Sequence, residues 1–309
     1  MSASDTASSP TRAGFVAIIG APNVGKSTLL NRLVGHKVSI VSPKVQTTRR
    51  RIIGITLKGP AQLLFVDTPG IFQPRPGRRL ERAMVRAAWT AAQDADLVLM
   101  VADARRGLDA ASEHVLAGLE RSSVPRFLVV NKIDLVKQRL QLLPLVDAFN
   151  RRLSFAATWL VSARTGDGLE DLLEAVAARM PEGPWLFPED QISDLSTRAL
   201  AAEITREQVF LQLQQELPYA ITVEVEAFAE SPDGKEVRID QTIYVQRESQ
   251  KAIVLGRGGR RIRLIGERAR KELERLLDKR VHLFLYVRVR RDWQDDPERY
   301  REMGLEFQS

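Results

Sequence analysis

The chain has 309 residues, which predicts about two domains and is long enough to bury a core without cofactor staples. Its 46 Lys and Arg against 39 Asp and Glu leave a formal charge of +7, while 44% hydrophobic and 28% charged residues exclude a disordered or fibrous class. No cysteine is present, so disulfide and thiolate chemistry are excluded, and the isolated His36, His114 and His282 leave no histidine-rich metal cluster.

Residues 1–13 are expected to be a disordered lead: Met1 to Thr11 are rich in Ser and Ala and lack the hydrophobic block of a secretory signal. The longest apolar run, Leu97 to Ala102, falls far short of the roughly 20 residues of a membrane-crossing helix. A cytoplasmic location is the expectation. From 14 to 180, short apolar runs at 15–20, 63–67, 97–103, 126–131 and 158–163 alternate with helical patterns, which predicts a mainly parallel sheet covered by helices. The segment 181–188 holds three prolines and a glycine, so 181–191 is read as a linker. A second unit, 192–291, follows with a long helix (192–216), strands at 219–229 and 237–246, a glycine-rich turn, a helix (259–277) and a strand (281–290). The order is α-β-β-α-α-β. Within 246–291, 15 Lys and Arg face 5 Asp and Glu, so the basic excess of the chain is concentrated here. The tail, 292–309, is acidic and aromatic; packing on the second unit and a loose end are both open readings.

Gly20-Ala-Pro-Asn23-Val24-Gly25-Lys26-Ser27 follows a strand and opens a helix, the context that a phosphate-binding loop requires. Glycines let the backbone N–H groups turn toward phosphates, and the helix start adds positive potential. Lys26 can reach the β- and γ-phosphates, the Ser27 hydroxyl can hold Mg²⁺, and Thr28 adjoins it. Asp67-Thr-Pro-Gly70 places a carboxylate at a strand end, where open α/β sheets bind ligands; Asp67 suits Mg²⁺ and the Gly70 N–H the γ-phosphate. Asn131-Lys132-Ile133-Asp134 ends a strand. The Asp134 carboxylate only accepts hydrogen bonds, so it selects the N–H pair of guanine over adenine. Lys132 can lie along the base, and Ser162-Ala163-Arg164 can offer the Ala163 N–H to the guanine oxygen.

These four segments resemble, in order and spacing, the GTPase motifs of translation-factor-related small GTP-binding proteins. The resemblance implies GTP/GDP and Mg²⁺ as ligands and a threonine that completes the metal shell only with GTP bound. Val45-Gln-Thr47-Thr48-Arg49-Arg-Arg51 supplies two candidates, of which Thr48 is preferred; a solvated basic loop is the competing reading. Arg49 to Arg51 are read as solvated and given no catalytic role. Where Ras-like members carry a water-orienting glutamine, Ile71 stands, so slow intrinsic hydrolysis resting on Lys26, Thr48, the Gly70 backbone and Mg²⁺ is expected.

In the second unit, Gly256-Arg257-Gly258-Gly259 forms a G-x-x-G turn followed by Arg260, Ile262 and Arg263. Its glycines allow close approach to a polymer backbone whose charge the arginines neutralise. This resembles a type II KH domain, with Ile253, Val254, Leu255 and Ile262 as candidate groove residues. The fold class expected is therefore α/β, a P-loop GTPase domain (14–180) with a mainly parallel sheet, followed by a smaller α+β type II KH domain (192–291). One phosphate loop, one KH module, and the stretches 22–31 and 46–49 resemble the Era family of bacterial ribosome-assembly GTPases over about 14–295. That resemblance implies binding near the 3′ end of small-subunit (16S) ribosomal RNA and a role in 30S maturation; the alternatives are a peripheral membrane-associated GTPase and a nucleotide-dependent RNA-binding scaffold with little turnover. A monomer and no DNA partner are expected.

Overall fold

The computed structural model of the chain describes residues 10–44, 47–213, 217–291, 293 and 296–307. Residues 1–9 of the expected lead, Val45 and Gln46 of the basic loop, 214–216 of the expected long helix, and residues 292, 294, 295, 308 and 309 of the tail lie outside them.

Six strands build the first sheet: β1 (Arg12–Ile19), β2 (Ile52–Lys58), β3 (Ala61–Asp67), β4 (Leu97–Asp103), β5 (Arg126–Asn131) and β6 (Ala157–Leu160), in the order β2-β3-β1-β4-β5-β6. All neighbours are parallel except β2 and β3. Helices α1 (Lys26–Val34) and α5 (Leu169–Ala177) cover one face; α2 (Arg79–Gln93), α3 (Ala110–Leu119) and α4 (Leu142–Arg152) cover the other. The sheet is buried on both sides, so its central strands read as continuous apolar runs. The parallel strands β1, β3, β4 and β5 end on one edge, which brings Gly20, Asp67, Asp103 and Asn131 together.

Strand β2 was not expected. It pairs with β3 from Ile52↔Asp67 to Lys58↔Ala61. Gly54 interrupts its β-branched pattern because α1 packs directly on it: a Cβ there would lie 2.7 Å from both Leu30 and Val34. Strand β6 also stops at Leu160, short of the expected 163.

The second unit contains α6 (Thr197–Gln212), β7 (Thr222–Glu230), β8 (Glu236–Val245), α7 (Glu248–Leu255), α8 (Arg260–Leu277) and β9 (Arg280–Val289). This is the expected α-β-β-α-α-β order, with β7 and β8 antiparallel and β8 and β9 parallel. Val209, Ile243, Val254, Ile265 and Val287 form its core. Helix α6 starts later than 192 because Ser196 caps it, accepting the Ala199 N–H at 3.2 Å, while the preceding residues are extended along β2.

The connecting segment is fastened rather than free. Gln62 receives the Leu186 and Phe187 N–H groups at 2.8 and 3.0 Å and donates to the Phe187 carbonyl at 2.8 Å. The Ile55 N–H donates to the Ile192 carbonyl at 2.9 Å, and the Ile53 N–H to Asp194 at 2.9 Å. The tail packs on the second unit, one of the two readings open in the sequence, and on the first unit as well. Trp293, Tyr300 and Leu305, the latter two in and after α9 (Pro297–Glu302), bury against Leu80, Ala83 and Met84 of α2, and the Trp293 indole N–H reaches the Ala220 carbonyl at 3.0 Å. The tail therefore bridges the two units.

Candidate functional site

Gly25, at φ 101, ends the phosphate loop in a left-handed conformation that a side chain resists, and a Cβ there would come within 2.4 Å of the Asn131 amide nitrogen. The loop curls around the Lys26 ammonium, which donates to the Gly20 and Ala21 carbonyls at 3.1 and 3.0 Å. Burial lowers the Lys26 pKa to about 8 against the opposing pull of Asp67. Val24 turns its side chain into the core, leaving its backbone in the loop. Thr28 lines the same open cleft, of about 370 Å³, as Asn23, Gly25, Lys26, Ser27, Thr48 and Gly70.

Asp67 sits at the base of this cleft, fully buried. Its Oδ2 accepts from Ser27 Oγ at 2.7 Å, Ser39 Oγ at 2.8 Å and Thr48 Oγ1 at 3.3 Å. Burial raises its pKa, opposed by these hydroxyls and by Lys26. Its Oδ1 is buried and has no hydrogen-bond partner among the described residues. A carboxylate oxygen left unpaired beside the Ser27 and Thr48 hydroxyls is a hard-oxygen set that fits Mg²⁺. Thr48, not Thr47, stands there: its Oγ1 is 2.9 Å from Ser27 Oγ, whereas Thr47 Oγ1 donates to the Lys44 carbonyl at 2.7 Å. Gly70 packs against Pro22, where a Cβ would meet the Pro22 backbone at 3.0 Å. Ile71 is buried with Ala17 and Ile19, so its side chain faces the core and not the cleft.

Asn131 ties the loops together: Nδ2 donates to the Val24 carbonyl at 2.9 Å, and Oδ1 accepts from the Lys132 and Ala163 N–H groups at 2.8 and 2.9 Å. The Ala163 N–H, assigned from the sequence to the guanine oxygen, is thus engaged by Asn131. Asp134 is exposed and accepts from Ser162 Oγ at 2.7 Å.

Four residues escaped the sequence reading. Ser39 touches Asp67, and Asn31 holds the Ser39 backbone through three hydrogen bonds involving Val38 and Ser39. Asp103 accepts from Lys132 Nζ at 2.7 Å; burial raises its pKa, but Lys132 and Arg105 outweigh this and leave it lowered. Arg106 donates to the Pro22 carbonyl at 3.1 Å. Only the position of Asp103 after an apolar strand offered a signal.

The loop carrying Ser39 and Thr48 is clamped by the second unit. Ile40 is buried among Ala201, Ile204, Val237 and Ile239. Lys37 pairs with Glu207 at 2.6 Å and Glu272 at 3.0 Å, the Val41 N–H donates to Glu207 at 2.8 Å, and Lys44 donates to the Phe210 and Leu213 carbonyls. Arg206 donates to the Thr47 carbonyl at 2.7 Å. Arg49 corrects the expectation of a solvated basic loop. It is 3% exposed, its guanidinium 5.3 Å from the Phe210 ring centre and 5.8 Å from that of Trp293, and it donates to the Ile221 carbonyl at 2.7 Å. Burial, and then Arg206, lowers its pKa to about 9, which leaves it charged at neutral pH.

The G-x-x-G turn joins α7 to α8 with Gly256, Gly258 and Gly259 at φ 70, 60 and 72. Arg257, Arg260 and Arg263 are exposed, and their guanidinium groups make no hydrogen bond or ion pair among the described residues. An open groove of about 540 Å³ runs beside the turn, lined by Gly259, Ile262, Arg263, Gly266, Leu283 and Leu285. Of the four apolar residues named from the sequence, only Ile262 lines it. Val254 is core, Leu255 packs on that core and Ile253 is exposed; the apolar wall comes from β9 instead.

A family model described as a 50S ribosome-binding GTPase matches residues 15–132, and one described as a KH domain matches 216–294. The GTPase Era of Afipia carboxidovorans is 59% identical over 298 residues, 96% of this chain and 96% of that protein. The chain belongs to the Era family of GTPases. The GTPase Era of Rhizobium meliloti is 57% identical across 96% of this chain and 94% of its own. The crystal structure of Era in complex with MgGDPNP and nucleotides 1506–1542 of 16S ribosomal RNA matches at a TM-score of 0.90 and 39% identity, over 96% of this chain and 100% of that one. This Era-family protein is therefore a P-loop GTPase that takes GTP or GDP with Mg²⁺ and an RNA-binding protein with a C-terminal KH domain.

Proposed function

We propose that this protein is a nucleotide-controlled RNA clamp that engages the 3′ end of small-subunit ribosomal RNA and assists 30S assembly in the cytoplasm. The relative crystallised with nucleotides 1506–1542 of 16S RNA supports that choice of RNA. The carrying observation is the shared loop: residues 37–49 offer Ser39 and Thr48 to Asp67 on one side and Ile40, Lys44 and Arg49 to the KH unit on the other. A change in the metal shell therefore moves the anchorage of the KH unit.

In this reading Lys26 holds charge against the β- and γ-phosphoryl oxygens, and the loop from Gly20 to Thr28 turns its backbone N–H groups toward them. Ser27, Thr48 and Asp67 would hold Mg²⁺, which would supply positive charge against the negative charge developing in the reaction. The Gly70 N–H meets the γ-phosphate. Asp134 and Lys132 select and cover guanine, while Asn131, Ser162 and Ala163 hold the base loops in register. With Ile71 buried, no side chain at that position orients water, so the positioning falls to loop backbone and to whatever binds beside it.

The turn at Gly256–Gly259 passes RNA backbone close to α8. Arg257, Arg260 and Arg263 neutralise phosphates, and Ile262 with β9 receives bases. Calorimetric titration of the 1506–1542 fragment, with and without a non-hydrolysable GTP analogue, tests the coupling. The analogue should tighten RNA binding by the same factor by which RNA tightens the analogue. Arg49→Ala should bring both factors toward one. Independent binding of the two ligands to the parent protein would overturn the coupling, and crosslinking to cellular RNA that returned no small-subunit sequence would overturn the choice of partner.

A further inference from the structure

Helix α2 follows the loop that carries Gly70. Residues 75–86 hold five arginines and a single acid, Glu81. Glu81 is buried, and its carboxylate accepts from the Arg75 backbone N–H at 2.9 Å and guanidinium at 2.7 and 3.0 Å. Arg78, Arg79, Arg82 and Arg86 are exposed. The last three, at spacings of three and four, share one face over about 10 Å and line a shallow recess with Tyr300 and Glu306 of the tail.

The chain already seats one anion there. The Glu306 carboxylate lies 3.7 Å from Arg86 Nη1, with Glu306 79% exposed, and the Phe307 ring lies 5.8 Å from the Arg79 guanidinium. An ion pair this long and this exposed is weak and easily exchanged. The Arg78 and Arg82 guanidinium groups make no hydrogen bond or ion pair among the described residues.

We propose that the arginine face of α2 is a second RNA contact, binding phosphate backbone without regard to sequence, and that Glu306 covers its far end until RNA phosphate replaces the carboxylate. The proposal rests on the RNA reading above. Guanidinium groups pair with phosphate in the same two-pronged way as with carboxylate, so a site that accepts Glu306 accepts a phosphodiester. A lipid surface fits less well. A membrane-seeking helix sets bulky apolar residues beside its basic ones, whereas Leu80 and Met84 are buried beneath the tail. The position matters because α2 continues from the loop at Gly70: RNA held here bears directly on the segment that meets the γ-phosphate.

The test uses the full chain with Mg²⁺ and a GTP analogue, the 1506–1542 RNA fragment, and salt varied from about 50 to 300 mM. Arg78→Gln with Arg82→Gln, both exposed helix-compatible changes, should flatten the log–log salt slope by roughly 1.4 to 1.8, the loss of two phosphate contacts. Glu306→Gln should tighten binding. Arg260→Gln with Arg263→Gln serves as the separate test of the KH site. Weakening by the KH pair with slope and affinity unchanged in the α2 pair would overturn this proposal and leave the KH reading standing. Retained RNA binding but lost binding to phosphatidylglycerol-containing vesicles in the α2 pair would overturn it in favour of lipid. Unchanged or weaker binding by Glu306→Gln would overturn the covering role of the tail.

Discussion

Burial brings the Lys26 ammonium down to about 8, yet a triphosphate needs it charged. Phosphate oxygens raise that pKa again, so nucleotide binding takes up a proton at pH values above the free-state pKa. The sign follows: affinity for Mg²⁺-GTP should hold below pH 8 and fall as pH rises through it. Calorimetry at pH 8.5 in buffers of different ionisation enthalpy should show uptake of more than half a proton, and Lys26→Arg should abolish the uptake. The two adjacent threonines separate on geometry. Thr48 faces Ser27 and Asp67, while Thr47 turns to Lys44 and Ser42. Thr48→Ala should weaken the GTP analogue about tenfold or more and leave GDP nearly unchanged, with Thr47→Ala far milder. Equal effects on both nucleotides in equilibrium binding would remove Thr48 from the triphosphate-sensing role.

At the scale of elements, the tail behaves as a brace between α2 and the KH unit. Trp293 is fully buried, so Trp293→Ala should cost about 3 kcal/mol or more in urea unfolding and expose α9 to proteolysis. This brace also marks the limit of what the chain discloses in one dimension. The strand ends at Asp67 and Asn131 were legible because apolar runs and turn residues are local, and so was the G-x-x-G turn. Strand β2 was not, since it follows three arginines directly and its glycine reflects α1 packing from another part of the chain. Arg49 looks like a surface charge until Phe210 and Trp293, far away in sequence, close over it. The apolar wall of the RNA groove was misplaced for the same reason: Ile253, Val254 and Leu255 are local to the turn, whereas Leu283 and Leu285 reach it only through β9 pairing with β8.

At the scale of the molecule, Lys37, Ile40, Lys44 and Arg49 make the nucleotide loop part of the KH unit's own packing. Ligand bound to the first unit should therefore stabilise the second. In scanning calorimetry, Mg²⁺ with a GTP analogue is expected to raise the melting of both units together, while in Arg49→Ala only the first should rise. Separate transitions in the parent protein, with the KH unit unmoved by nucleotide, would show that the clamp carries no energy between them.

The stitched connector changes what a break in the backbone would mean. Residues 185–187 are held by Pro60 and Gln62, and 192–194 by β2, so both sides of Glu189-Asp190 are anchored on the same sheet. Covalent continuity at that point is then dispensable for assembly: a chain nicked there keeps its fragments docked, and β2, which would otherwise be a bare sheet margin, stays shielded from pairing with a neighbouring molecule.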